Sequence, residues 1–485
     1  MNIVMILADD LGSWAVGAYG NPEVHTPNLD ALAQRGVRFD NFFCTSPVCS
    51  PARASILTGQ IPSAHGVHDW IRGGNIDTAR HKSARFDHEW GRLDQLIQYL
   101  AGQTTYVALL QANGYDCALS GKWHLGDSIQ PQQGFSHWFT LAGGGCPYMQ
   151  PDIVQNGAIE IRDAYITDVI TDDAVSYIRS RQSDRRPFYL SVHYTAPHSP
   201  WDQANHKPIH WQRYAHCPMT HTPDLPLHPD QVKTAPYGTG EARKELLRGY
   251  YAAITAMDEG IGRIIDALTA TGLPEQTVVL FTSDNGMNMG HHGIWGKGNG
   301  TFPLNLYDTS VKVPLIVQLP GGPRGQVSHE LLSQYDFMPT ICELAGLSIP
   351  AAPERPGRSF ARHLRNPGLP TRDEVVVFDE YGPARMIRTQ RFKYIHRYPY
   401  GPHEFYDLEQ DPDETRNRYE EEACQAEIAS LRARLADWFH RYSDPAADGS
   451  REGVTGKGQI DRAGIAARGR PNYAPPPGYA RDDQV

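Results

Sequence analysis

Asn2-Ile-Val-Met-Ile-Leu-Ala8-Asp9-Asp10-Leu-Gly12 is the stretch on which the fold reading turns. Residues 3–8 form an unbroken apolar run that ends on two carboxylates. A short apolar run bounded by polar residues reads as a buried strand. Similar runs recur at 106–110, 188–194, 277–282 and 313–319. Between them lie amphipathic helix candidates at 27–35, 166–179 and 243–267. For the first of these, Thr26 is the expected N-cap, Pro27 opens the first turn and Gly36 marks the stop. Alternation of this kind predicts an α/β protein with a mostly parallel central sheet and helices on both faces. Ligands in such sheets gather at the carboxyl ends of the strands. Two of the runs end in side chains capable of chemistry: Ala8 is followed by Asp9-Asp10, and Thr282 by Ser-Asp284-Asn285. His198 follows Tyr194 within four residues.

Working outward, the chain of 485 residues carries 45 Lys and Arg against 55 Asp and Glu, a net charge of −10. It has no basic block, which argues against a nucleic-acid partner. It has no apolar run of about 18 residues, which argues against a membrane span. Seven cysteines without CxxC spacing read as reduced thiols and not as a disulfide framework. The N-terminus shows no basic n-region and no small-residue cleavage site, so the expectation is a cytoplasmic protein. Near residue 370 the texture changes to short strand candidates at 374–381, 386–389 and 392–396, then Phe405-Tyr-Asp-Leu and a helix candidate at 426–442. The expected division is a catalytic domain over 1–370, a small α+β subdomain (an antiparallel sheet and one helix) over 371–445, and a Gly-, Pro- and Arg-rich tail over 446–485. Two long irregular insertions, at about 68–92 and 200–240, are rich in His, Pro and Trp.

The strongest local signal is Cys49-Ser-Pro51-Ala-Arg53-Ala-Ser-Ile-Leu57-Thr58-Gly59, which opens a helix-compatible segment. A cysteine at a helix N-terminus sits in a positive field that favours anions. The string fits Cys-x-Pro-x-Arg-x-x-x-Leu-Thr-Gly and so resembles the signature of the type I sulfatases of the alkaline phosphatase superfamily. With six fixed positions at roughly 5 % each, chance yields such a match about once in ten million starts or less often. The resemblance continues through Ile-Leu-Ala-Asp9-Asp10-Leu-Gly, Gly121-Lys122-Trp-His124-Leu-Gly, Ala196-Pro197-His198-Ser-Pro200 and Thr282-Ser-Asp284-Asn285-Gly286. Lys297 precedes Asn305-Leu-Tyr-Asp308-Thr-Ser-Val-Lys312-Val-Pro314, similar to the family's lysine before a Tyr-Glu-x-x-x-Arg-Val-Pro stretch. Arg391-Phe-Lys-Tyr and Tyr406-Asp-Leu-Glu-Gln-Asp-Pro resemble its C-terminal subdomain.

The resemblance implies an alkaline-phosphatase-like fold and hydrolysis of sulfate monoesters. It implies conversion of Cys49 to formylglycine by a maturation enzyme, and a divalent metal held by Asp9, Asp10, residue 49, Asp284 and Asn285. Physical chemistry supports the metal set: three carboxylates and an amide are hard oxygen donors that suit Ca²⁺, with Mg²⁺ or Mn²⁺ as alternatives. Three aspartates are balanced by Arg53, Lys122 and Lys297, so a divalent ion leaves about +2, suited to a sulfate anion. The implied roles are Arg53 positioning the nucleophile, His124 accepting a proton from it, and His198, with Lys297, protonating the leaving oxygen. Lys122, His198 and Lys297 are the implied substrate contacts, and His292 joins them as a candidate from its place just before Lys297. Trp70, Arg72 and Trp201 in the two insertions add an aromatic and hydrogen-bonding rim that suggests a sulfated carbohydrate. The alternatives are an aryl sulfatase, a phosphonate monoester hydrolase or phosphodiesterase of the same superfamily, or a non-catalytic glycan-binding relative. The oligomeric state stays open, a homo-oligomer included.

Overall fold

A computed structural model describes residues 1–77, 96–233, 235–350, 352 and 355–474. The parts of the insertion at 78–92 and of the tail at 475–485 lie outside the described residues. The main sheet is built from ten strands: β1 (Asn2–Ala8), β2 (Val37–Phe39), β3 (Asp116–Gly121), β4 (His137–Leu141), β5 (Asp152–Gln155), β6 (Ala158–Ile161), β7 (Phe188–His193), β8 (Thr277–Ser283), β9 (Leu315–Gln318) and β10 (Gln326–Ser328). Their order across the sheet is β10-β2-β9-β8-β1-β7-β3-β4-β5-β6. The five central strands from β8 to β4 run parallel. Strand β9 pairs antiparallel with β8 and β2, and β5 and β6 continue antiparallel from β4.

Strand alternation sends the β1 side chains into two cores. Ile3, Met5 and Leu7 enter one, with α2 (Cys49–Thr58) and α3 (Tyr106–Ala112) over them. Val4, Ile6 and Ala8 enter the other, under α4 (Ile166–Ser180) and α5 (Gly240–Ala270). Burying each large aliphatic side chain contributes roughly 1.5–3 kcal/mol, which is why the interiors of the central strands are mostly apolar. No helix among the described residues is long and apolar enough to cross a membrane.

Two local expectations are corrected. The run at 106–110 is helix, not strand: Thr105 caps it by accepting from the Ala108 N–H, and the strand follows at β3. Five apolar residues cannot by periodicity separate a buried helix turn from a strand. Thr26 sits at the N-cap position of the first helix, α1 (Pro27–Arg35), but its side chain caps nothing there. Asp258 from α5 does so instead, accepting from the Asn28 and Leu29 N–H groups at 3.0 and 2.8 Å.

The C-terminal subdomain is a four-stranded antiparallel meander, β11 (Val375–Asp379), β12 (Ala384–Arg388), β13 (Phe392–Arg397) and β14 (Glu404–Asp407), covered by α6 (Gln425–Tyr442). Its core includes Ile61 and Ala64 of the catalytic domain. Asp308 also joins the two, through Lys393 at 2.9 Å and Arg388 at 3.4 Å. The described part of the tail does not hang free. Gln459 is fully buried; its Oε1 accepts from the His68 N–H and its Nε2 donates to the Gly66 carbonyl.

Candidate active site

Four neighbouring parallel strands deliver the site. Asp9 and Asp10 leave the end of β1, Asp284 and Asn285 the end of β8, Lys122 and His124 the end of β3, and His198 lies shortly beyond β7. Asp10 takes φ +64° and His124 φ +55°, so the backbone bends at both strand ends to aim these side chains inward. The α5 helix braces the first bend, where the Tyr250 hydroxyl donates to the Asp10 carbonyl at 2.8 Å.

Asp9, Asp10 and Asp284 are all buried, with carboxylate oxygens within 4.8 Å of one another. Each has a cation. Lys122 Nζ lies 2.6 Å from Asp9 Oδ2, and Lys297 Nζ 2.6 Å from Asp10 Oδ1. Arg53 Nε and Nη2 both lie 2.9 Å from Asp284 Oδ2. Burial raises all three carboxyls. For Asp9 burial prevails over Lys122 and the pKa is pushed up to about 6. For Asp10 the opposing pull of Lys297 and His198 wins, and for Asp284 that of Arg53 and Lys122, so both are held below the usual range.

The donor set fits a hard divalent ion. Asp9 Oδ1 and Asn285 Oδ1 are buried oxygens without a hydrogen-bond partner among the described residues. An orphaned buried acceptor costs about 1–3 kcal/mol unless something occupies it. A cation held by oxygens would satisfy both together with the carboxylates.

Cys49 begins α2, and its Sγ lies 3.4 Å from His124 Nδ1. The other ring nitrogen, Nε2, is 2.9 Å from the Ile71 carbonyl, which can only accept, so Nε2 carries the proton and Nδ1 faces residue 49 as an acceptor. Burial and then Lys122 keep this ring neutral, far below the ordinary histidine range. The Cys49 thiol is itself held low: burial opposes, but Lys297 and Lys122 prevail. His198 has the converse arrangement. Its Nδ1 donates to the Ser199 carbonyl at 2.8 Å, and Nε2 lies 3.6 Å from Asp10 Oδ2 and faces the cavity.

That cavity has a volume of about 660 Å³ and is lined by Cys49, His124, His198 and Lys297 together with Trp70 and Arg72. Three expected substrate contacts are not in its lining: Trp201, His292 and Lys122, the last fully buried against Asp9. Trp201 is 1 % exposed, donates its indole N–H to the Pro197 carbonyl and packs edge-on against Tyr250. Its polar atom is satisfied inside, so nothing holds the ring at the surface. His292 stacks on Tyr307 with ring centroids 3.8 Å apart and does not line the cavity. The described wall also uses Asn75 at the end of the 68–75 stretch, and Asn299, Lys233, Lys457 and the loop Gly143-Gly-Gly145, which no motif pointed to. The glycine run was a readable signal. A Cβ at Gly144 would come within 2.1 Å of His124 Nε2, so only glycine lets this loop close over the ring.

The sulfatase family model matches residues 1–347, and the model for the C-terminal region of N-sulphoglucosamine sulphohydrolase matches residues 290–441. The chain belongs to the sulfatase family and is a sulfuric ester hydrolase. An N-acetylglucosamine-6-O-sulfatase of Bacteroides thetaiotaomicron is 28% identical, over 94% of this chain and 89% of its own length. An ulvan-active sulfatase of Formosa agariphila is 31% identical, over 90% of this chain and 81% of its own. A solved structure of a relative with its substrate D-glucosamine-2-N,6-O-disulfate superposes with a TM-score of 0.76 at 26% identity, covering 93% of this chain and 99% of that one.

Proposed function

We propose that the enzyme removes sulfate from a sulfated mono- or short oligosaccharide, using formylglycine at position 49 and a divalent cation held by oxygens, Ca²⁺ by preference. The observation that supports this most is a cavity lined by Cys49, Lys297 and His198 with an aromatic and an arginine in its wall, in which Lys297 and His198 lie 2.6 and 3.6 Å from Asp10 of the triple-aspartate cluster. The sulfated sugars named for the relatives agree with it. A cavity of this size lies within the ~300–1,000 Å³ usual for small-ligand sites.

In the structure the Cys49 sulfur marks where a hydrated formylglycine would place its oxygens. Formylglycine would supply an oxygen nucleophile, and a cation on Asp9, Asp10, Asp284 and Asn285 would supply positive charge beside it. The chain's own residues do the rest. Lys297, in the cavity wall, neutralises sulfuryl oxygens as charge moves toward the leaving group, and Lys122, buried against Asp9, adds positive charge from behind the cluster. Arg53 fixes Asp284, and its Nη1 donates to the Lys122 carbonyl at 3.1 Å, so one guanidinium sets two walls. His124 Nδ1 is placed to take a proton from the side chain at 49. His198 Nε2, its other nitrogen anchored, is placed to give a proton to the leaving oxygen.

Release of inorganic sulfate from a panel of sulfated sugars and a small aryl sulfate tests the reading. The expected result is turnover of at least one sugar, with Trp70→Ala lowering kcat/KM on that sugar about two- to tenfold and leaving the aryl sulfate nearly unchanged, since one stacked aromatic contact is worth roughly 0.5–1.5 kcal/mol. Turnover of the aryl sulfate alone would overturn the carbohydrate assignment.

A further inference from the structure

One residue, His193 at the end of β7, grips the backbone of Lys122 on both sides. The pairing of β3 with β7 sets Gly121 opposite His193. A Cβ at Gly121 would come within 2.0 Å of the His193 carbonyl, so glycine lets the two strand ends approach closely. One residue further on, the His193 carbonyl accepts from the Lys122 N–H at 2.9 Å. The His193 ring reaches the other side of the same residue, with Nδ1 2.9 Å from the Lys122 carbonyl. Arg53 Nη1 shares that carbonyl at 3.1 Å and lies 3.4 Å from His193 Nδ1. His193 is buried and does not line the cavity.

The proton on this ring can be placed. A carbonyl only accepts and a guanidinium only donates, so the two neighbours of Nδ1 ask for opposite tautomers. The carbonyl contact is the shorter, and a bare Nδ1 there would set two acceptors against each other. Nδ1 therefore carries the proton. Burial, and then Arg53, push the ring's pKa down to about 3, so Nε2 is bare and must accept. It lies 2.7 Å from Ser191 Oγ, which lies 3.0 Å from the Tyr189 hydroxyl, which lies 2.7 Å from the Tyr106 hydroxyl. Each hydroxyl then donates to the next, and the chain runs one way, from Tyr106 on α3 through Tyr189, Ser191 and His193 to the Lys122 carbonyl. All four side chains are buried, and the row on β7 meets the core that holds Met5 and Leu7. Buried polar groups cost stability unless each is hydrogen-bonded, and here each is.

We propose that His193 is a positioning residue for sulfate-ester hydrolysis. Its Nδ1–H, oriented by the Ser191–Tyr189–Tyr106 chain, fixes the Lys122 backbone and the Arg53 guanidinium together, and so sets the two cations that face Asp9 and Asp284. The proposal rests on the proposed function in that Lys122 and Arg53 serve catalysis. Loss of the Ser191 hydroxyl would let Nε2 take the proton and turn a bare Nδ1 toward Arg53.

The test compares two amides at position 193 in the full-chain enzyme. An asparagine amide reaches the place of Nδ1, and a glutamine amide the place of Nε2. Initial rates are measured on N-acetylglucosamine 6-sulfate and on nitrophenyl sulfate. The mass of the residue-49 peptide is compared across the variants, so that a difference in maturation is not read as a difference in rate. His193→Asn should keep kcat within about threefold of wild type. His193→Gln should lower it about ten- to hundredfold, since a misplacement near 1 Å can cost about a hundredfold. KM should change little in either variant, because the ring touches no substrate. Their melting temperatures should lie together, a result that a purely structural role would not combine with a split in kcat. Ser191→Ala, an independent arm, should lower kcat about threefold or more. Equal kcat in the two amide variants would overturn the positioning role and leave the sulfatase reading standing. Where either amide variant fails to fold, Ser191→Ala decides, and a wild-type kcat there would overturn it. A wild type that releases sulfate from neither ester nor from any other sugar of the panel would overturn the proposed function as well.

Discussion

At His198 the two ring nitrogens have separate tasks, because the Ser199 carbonyl takes the proton on Nδ1 and leaves Nε2 toward the cavity. A general acid matters most when the leaving alcohol is poor, since a stable leaving group needs little protonation. His198→Ala should therefore slow a sugar sulfate by about 10²–10⁴-fold and an activated aryl sulfate far less. Steady-state rates on the two esters check this, and equal losses would move His198 from proton donation to binding. Residues of this kind were legible one at a time. Cys49, Arg53, Asp9, Asp10, Lys122, His124, Asp284, Asn285 and Lys297 each stand in a motif whose chemistry restricts the residue type, and the fold brings them together. His292 was singled out for its place just before Lys297, and Trp201 for the composition of its insertion. A histidine or tryptophan near a motif carries no signal for which way it turns, and both turn into packed surroundings.

Among the elements, the central strands were readable because burial on both faces demands mostly apolar sequence until the strand ends. The helix at Tyr106–Ala112 was not, since an equally apolar run of five residues serves either conformation and only its Thr105 cap decided the matter. The C-terminal segment was the least legible. Its Gly, Pro and Arg content has no period, and its order comes from long-range hydrogen bonds centred on Gln459. That side chain joins 66–69 to 459–461, and the Gln459 backbone pairs with Trp70 and Arg72 in the cavity wall. Ile71, between them, supplies the carbonyl that orients His124. Gln459→Ala would strand the His68 N–H and the Gly66 carbonyl in a buried place, at roughly 1–3 kcal/mol each. The expected outcome is a lower melting temperature together with a lower kcat. Wild-type values of both would show that the segment merely lies on the surface.

For the molecule as a whole, the proposed cation would link stability to metal through the aspartate cluster. Two buried oxygens of the cluster, Asp9 Oδ1 and Asn285 Oδ1, have no hydrogen-bond partner among the described residues, and an ion that binds only the folded chain stabilises it by about 2.7 kcal/mol at a hundred times its Kd. Calcium should raise the melting temperature and a chelator should lower it, with Asp284→Ala abolishing the difference; calorimetry with and without Ca²⁺ reads this directly. The central claim, that a formylglycine at position 49 carries sulfate-ester hydrolysis, is tested most directly by one paired measurement. The peptide containing residue 49 is weighed, and sulfate release from the sugar panel is measured on the same preparation, for the wild type and for Cys49→Ala. The account predicts a wild-type peptide lighter than its cysteine form by the loss of sulfur and two hydrogens and the gain of one oxygen. It also predicts sulfate release in proportion to that lighter form, and none from Cys49→Ala. Sulfate release that is equal in the two proteins, or a fully converted wild type that releases none from any sulfate ester, would contradict it.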